Sequence, residues 1–175
     1  MRTLIAGLGN VFEGDDGFGV AVAAALTDVS LPPGAEVHDF GIRGVHLAYQ
    51  LLEGYDLVVI ADAVQRDGPP GTVYVIDHAA DADRPEPAAD APILDAHDLG
   101  PDGVLALVPM LGGTLGRVVV VGCEPATLAP DMGLSRQVAR SVGRAAELVT
   151  DLVRDAHEVA AAAAADGIRI GGGGQ

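Results

Sequence analysis

The sequence predicts an α/β fold whose sheet is covered by helices on both faces. Three observations carry that expectation. Two strand-length stretches, Tyr55 to Asp62 and Gly116 to Gly122, are built on the apolar runs Leu57-Val-Val-Ile60 and Val118-Val-Val-Val121. Such runs suit strands buried on both faces. A short apolar run, Leu4 to Ala6, reads as a buried strand that stops at Gly7, and the helix-forming stretch Val20-Ala-Val-Ala-Ala-Ala-Leu26 follows. Near the C-terminus, Val138, Val142, Ala145, Leu148, Val149 and Leu152 recur at helical spacing. That is an amphipathic stripe made to lie on a sheet.

Taken in order, the first strand opens into a loop, Gly7-Leu-Gly9-Asn10-Val-Phe-Glu13-Gly14-Asp15-Asp16-Gly17. Gly7 and Gly9 permit a tight turn, and Asn10 tolerates unusual dihedrals. After the first helix, Ser30-Leu-Pro32-Pro33-Gly34 is a turn. Ala35 to Phe40 reads as a second strand, Gly41 to Gly44 as a loop, and Val45 to Leu52 as a helix. The third strand ends on Asp62. The fourth, Thr72 to Ile76, follows only nine turn-rich residues, 63–71. A parallel return needs about a dozen or more residues, so the fourth strand should run antiparallel to the third. Asp77 to Ala91 is acidic and rich in Ala and Pro, and is expected to be mobile. His97-Asp98-Leu99 precedes a short helix, Asp102 to Met110, and Gly116 to Gly122 is the fifth strand. The last helix should start at an N-cap, Ser135. Its stripe fades after Asp155, leaving an Ala/Gly-rich tail, 156–175, that reads as frayed helix and then disorder. Residues 1–155 form one domain with no repeat or linker.

Composition narrows the function. Apolar residues make up 49% and aromatics 3%, so the core is aliphatic. Twenty-five acidic residues against ten basic ones leave a net charge of −15. Phosphates are repelled, which argues against nucleic acid and anionic membranes as partners and leaves cations and basic surfaces. Cys123, the single cysteine, excludes an internal disulfide and a Cys-rich zinc site, and reads as a buried, inert thiol. The first strand begins at once, leaving no room for a signal peptide, and no apolar run reaches the ~18 residues of a membrane span. The expectation is a soluble, cytoplasmic protein.

The first loop admits two chemistries. Gly7-x-Gly9 after a strand is part of a dinucleotide fingerprint, but Phe12 stands at the third glycine position and the acids beyond it repel a pyrophosphate. A nucleotide-binding module is therefore the alternative. The other chemistry is a carboxylate site for a metal or a peptide bond. Asp15 or Asp16 could also serve as a helix cap, Asp62 could simply end its strand, and His97 could cap the helix behind it. Asp16, Asp62 and His97 together make two carboxylates and one imidazole. That set suits a divalent transition metal such as zinc or nickel, with positions left open for substrate.

Gly7-Leu-Gly9-Asn10, Asp15-Asp16-Gly17-x-Gly19-Val20, Ile60-Ala-Asp62-Ala63, His97-Asp98-Leu99 and Gly122-x-Glu124-Pro125, in that order, resemble the hydrogenase maturation endopeptidases. The resemblance covers roughly residues 2–155. It implies a peptidase that removes a C-terminal extension from the large-subunit precursor of a nickel–iron hydrogenase once nickel has been inserted. It implies that Asp16, Asp62 and His97 contact the metal and carry catalysis. It leaves two routes: the metal polarises the carbonyl or a water, or the carboxylates activate water while the metal positions substrate. The metal is nickel borne by the substrate, or another divalent ion such as zinc. The loop associated with substrate choice falls on Asp39, Gly41, Arg43 and Gly44, where Asp39-Phe40-Gly41-Ile42-Arg43-Gly44 departs from the family's Asp-Gly-Gly-Thr-x-Gly. The fold implied is a three-layer α/β/α sandwich with a mixed five-stranded sheet, order 2-1-3-5-4, strand 4 antiparallel. In that order Asp16 and Asp62 face one crevice. A monomer is expected.

Overall fold

The computed structural model describes residues 1–78 and 100–170, with side chains through residue 165. His97 and most of the acidic, Pro-rich segment lie outside the described residues. Strands β1 (Thr3–Leu8), β2 (Ala35–Gly41), β3 (Leu57–Ala63), β4 (Val73–Asp77) and β5 (Arg117–Cys123) form one sheet, in the order β2-β1-β3-β5-β4. The pairs β1–β2, β1–β3 and β3–β5 are parallel, and β4 runs antiparallel to β5. The short link between β3 and β4 thus has the consequence expected of it.

Side-chain alternation divides the core into two layers. Leu4, Ala6 and Leu8 of β1, Val58 and Ile60 of β3, and Val118 and Val120 of β5 pack on α2 (Gly44–Leu51) and α3 (Pro101–Met110). Ile5, Val59, Ala61, Val119 and Val121 point the other way, onto α1 (Phe18–Leu26) and α4 (Arg136–Ile170). The continuously apolar strands are therefore covered on both faces, in a three-layer α/β/α arrangement. Each fully buried Val, Leu or Ile contributes about 1.5–3 kcal/mol.

Ser135 is the N-cap of α4, its hydroxyl accepting from the amide of Val138 at 3.4 Å. The helix does not stop where its stripe fades but continues to Ile170. Alanine sustains helix without needing a face to bury. The stretch just past Asp155 is also tied down, because His157 Nε2 lies 2.9 Å from the hydroxyl of the fully buried Thr3.

Two glycines set how closely α1 approaches the sheet. A Cβ on Gly19 would run into the backbone carbonyls of Ala61 and Leu8, and one on Gly7 into the carbonyl of Gly19. The start of α1 therefore lies directly on the C-terminal ends of β1 and β3, which brings the turn preceding it beside Asp62.

Candidate active site

The site begins where β1 ends. Gly9 has φ +120, and a Cβ there would collide with the carbonyl of Asp16. Asn10 then organises the loop: its side-chain oxygen accepts from the amide of Phe12 at 3.0 Å, and its side-chain amide donates to Glu13 at 3.1 Å. A 3-10 turn, Gly14–Gly17, follows and carries two aspartates that bond to different parts of the chain.

Asp15 is fully buried and turns away from the crevice. One carboxylate oxygen accepts from the amides of Ala126 at 2.8 Å and Thr127 at 3.2 Å, the other from the amide of Ser135 at 2.6 Å. Asp16 is only partly buried, and its Oδ2 accepts from the amide of Asn10 at 2.5 Å. Neither caps α1, whose N-cap is Gly17, so the capping reading of these two acids is corrected. The chain meets its helix through a 3-10 turn, which leaves both carboxylates free for other partners.

Asp62 stands at the end of β3 with 6% of its surface exposed, accepting from the amide of Ala63 at 2.8 Å. Burial, and then the nearby Asp16 carboxylate, push its pKa up to about 8. A single backbone donor does not offset these two effects. Strands β1 and β3 are adjacent and their connections leave toward opposite edges of the sheet, so the crevice between them is a topological switch point. Asp16 and Asp62 meet there.

The second loop joins the first. The amide of Gly9 donates to the carbonyl of Gly41 at 3.1 Å. Gly41 has φ +53, and Gly44 is buried at the start of α2. Arg43 folds back onto the end of β2, its guanidinium donating to the carbonyls of Phe40 and Asp39, each at 3.1 Å. Asp39 and Arg43 line a shallow groove with His38, His46 and Tyr49.

Cys123 is 1% exposed, and burial followed by the Asp15 charge raises its thiol to about 11, so it is inert as a nucleophile. Glu124 was visible only as part of a motif. It is 6% exposed, and its carboxylate accepts from the amide of Arg66 at 2.9 Å and the hydroxyl of Tyr74 at 3.0 Å. Burial alone would raise its pKa, but these donors and the amides of Asp67 and Gly68 outweigh it and hold the carboxyl below its ordinary value. For a dinucleotide, the geometry is unfavourable. The amide of Asn10, which would face a phosphate, is taken by Asp16, and Phe12 at the third glycine position is 62% exposed.

The family model described as hydrogenase maturation protease matches residues 20–152. The chain belongs to the hydrogenase maturation proteases. It is 31% identical over 157 residues to the hydrogenase 2 maturation protease of Escherichia coli, covering 89% of this chain and 92% of that protein. Among solved structures, it is similar to the hydrogenase maturating endopeptidase HybD from E. coli, with a TM-score of 0.72, 30% identity, and coverage of 89% and 94% of the two chains. It is also similar to the [NiFe] hydrogenase maturation protease HycI from Thermococcus kodakarensis, with a TM-score of 0.67, 25% identity and coverage of 87% and 92%. A hydrogenase maturation protease is a hydrolase that acts as a peptidase, and the sheet order seen here matches the fold of these relatives. The nucleotide-binding alternative finds no support. No helix among the described residues is long and apolar enough to cross a membrane.

Proposed function

We propose that this endopeptidase removes the C-terminal extension of a nickel–iron hydrogenase large-subunit precursor that already holds nickel, with Asp16, Asp62 and His97 as the residues that contact the metal and carry the reaction. The observation that carries this reading is the carboxylate pair at the switch point, in which Asp62 is buried beside Asp16 and its pKa is raised to about 8. A divalent cation suits this donor set. It is hard enough for oxygen ligands, and its charge offsets the burial and the Asp16 repulsion that keep the proton on Asp62. His97 would add an imidazole. Nickel carried by the precursor is the favoured ion, with zinc as the other candidate.

A cation held here would polarise the scissile carbonyl or a water. The chain's own contribution is a carboxyl poised near neutral pH. Asp62, with a pKa near 8, is suited to exchanging a proton with water or the leaving amine, whereas an ordinary aspartate would stay ionised. Aspartic-type and metal-assisted chemistry thus draw on the same pair. The groove lined by Asp39 and Arg43, with Gly41 and Gly44 shaping the loop, would seat the precursor next to this crevice. The acidic chain acts as a cytoplasmic monomer in this reading.

The test is cleavage of a purified precursor followed by mass spectrometry. Asp16→Asn, Asp62→Asn and His97→Ala should each lower the rate by at least ~100-fold, the scale of losing a general acid–base group. Full activity in all three would refute the site assignment.

A further inference from the structure

Both halves of the crevice hang on one segment, residues 123–135, which leaves β5. The turn carrying Asp16 is joined to it by the three amides that Asp15 accepts. Backbone bonds reinforce the join: Asp15 N–H to the Thr127 carbonyl at 3.1 Å, Gly14 N–H to Asp131 at 3.0 Å, and Asp131 N–H to Phe12 at 3.1 Å. The loop following Asp62 is joined to the same segment through Glu124. Its carboxylate gathers the successive amides of Arg66, Asp67 and Gly68. Asp67 holds φ +59 there, a left-handed conformation rare for a side-chain-bearing residue, and it closes these amides into an anion nest. A Cβ on Gly68 would strike the Tyr74 hydroxyl that donates to Glu124, so a larger residue there would have to displace it. The amides of Val64 and Gly71 donate to the carbonyls of Cys123 and Glu124 at 2.9 and 2.8 Å.

Asp15 and Glu124 are thus two buried carboxylates: Asp15 accepts from backbone amides, and Glu124 from backbone amides and the Tyr74 hydroxyl. A carboxylate that is buried without a cation must be repaid by donors; for Asp15 they come from the segment leaving β5, and for Glu124 from the loop after Asp62, with the Tyr74 hydroxyl of β4 added. We propose that Asp15 and Glu124 are positioning residues, which clamp the Asp16 turn and the loop after Asp62 to the segment leaving β5 and so fix the two reactive carboxylates as one unit. This rests on the proposed function for its catalytic consequence, but not for its structural one.

Asp15→Asn and Glu124→Gln keep the shape and turn one acceptor into an NH2 group facing amide donors. Backbone amide exchange by NMR is the structural readout. In Asp15→Asn, exchange at residues 126, 127 and 135 and across 10–17 should speed up at least tenfold, with the amides of β1 and β3 unchanged. In Glu124→Gln the same should hold at residues 66–68. Precursor cleavage should then show kcat down tenfold or more with KM within about twofold, and Glu124→Asp should recover less activity than the wild type but more than Glu124→Gln. Tyr74→Phe, which removes a single hydroxyl donor, serves if Glu124→Gln does not fold, and should show the same pattern at residues 66–68 to a smaller degree. Unchanged exchange in the loops would overturn the clamp. Faster exchange with kcat intact would overturn its role in positioning. An inactive wild type would count against the proposed function, while the exchange comparison would still decide the clamp.

Discussion

Asp62 holds its proton far above the range of an exposed aspartate because it is buried and faces Asp16. The unfolded chain releases that proton near pH 3.9, whereas the folded protein keeps it up to about pH 8. Between these values the folded state binds the extra proton, so stability falls as pH rises through the window. Asparagine has no proton to lose. In chelator-treated protein, Asp62→Asn should therefore melt above the wild type at pH 7–8, by on the order of 3 kcal/mol or roughly 5 °C or more. The gap should close toward pH 4, where both states of the wild type are protonated. Melting curves at four or five pH values check this, and a gap that does not depend on pH would refute the buried-pair description. The division of labour between Asp15 and Asp16 was not legible in the sequence. Two adjacent acids differ only in direction, and the partners that decide it, Ala126, Thr127 and Ser135, lie 111–120 residues away. For Glu124 the motif was legible and its partners were not, for the same reason.

At the level of elements, the site depends on how closely α1 lies on the sheet. Gly19→Ala would place a methyl group against the carbonyls of Ala61 and Leu8, neither of which can move without disturbing a strand end. Overpacking of this kind costs about 1–3 kcal/mol or more, so urea denaturation should show a loss of at least that size. Cleavage should fall further than stability does, because the shift displaces the Asp16 turn from Asp62. An Ala variant as stable as the wild type would show that the contact relaxes freely. The strands were readable because apolar runs bounded by turn formers leave little choice. Which helix covers which face was not, since strands apolar on both sides carry no mark of it. The length of α4 escaped a reading based on a stripe, because an alanine-rich helix needs none. From 158 to 165 that helix is largely exposed, Val159 at 70%, whereas His157 still meets Thr3. Ending the chain after His157 should thus leave the melting temperature within about 2 °C and cleavage unchanged, since surface changes away from such contacts stay within about 0.5 kcal/mol. A drop of several degrees would show that the rest of the helix docks.

For the whole molecule, the proposed metal has two possible sources, the protease and its precursor. Among the described residues, no three His, Cys, Asp or Glu side chains cluster as a metal-holding group, and the crevice supplies two carboxylates, with His97 as the proposed third ligand. One imidazole and two oxygens make a modest site that a substrate could complete with its own ligands. The net charge of −15 draws cations toward the surface but does not choose among them. Its reach is cut beyond about 8 Å at physiological salt. Selection must then come from geometry that only the precursor carries. The isolated protein should fold without metal, because its two core layers and the clamps on Asp15 and Glu124 are complete in themselves. Processing, in contrast, should require nickel already seated in the precursor. Purified protein offered nickel-loaded and nickel-free precursor, with free metal removed, should cleave only the first. Equal cleavage of both would end the idea of a substrate-borne metal. Cleavage of the nickel-free form restored by zinc alone would instead assign the ion to the protease.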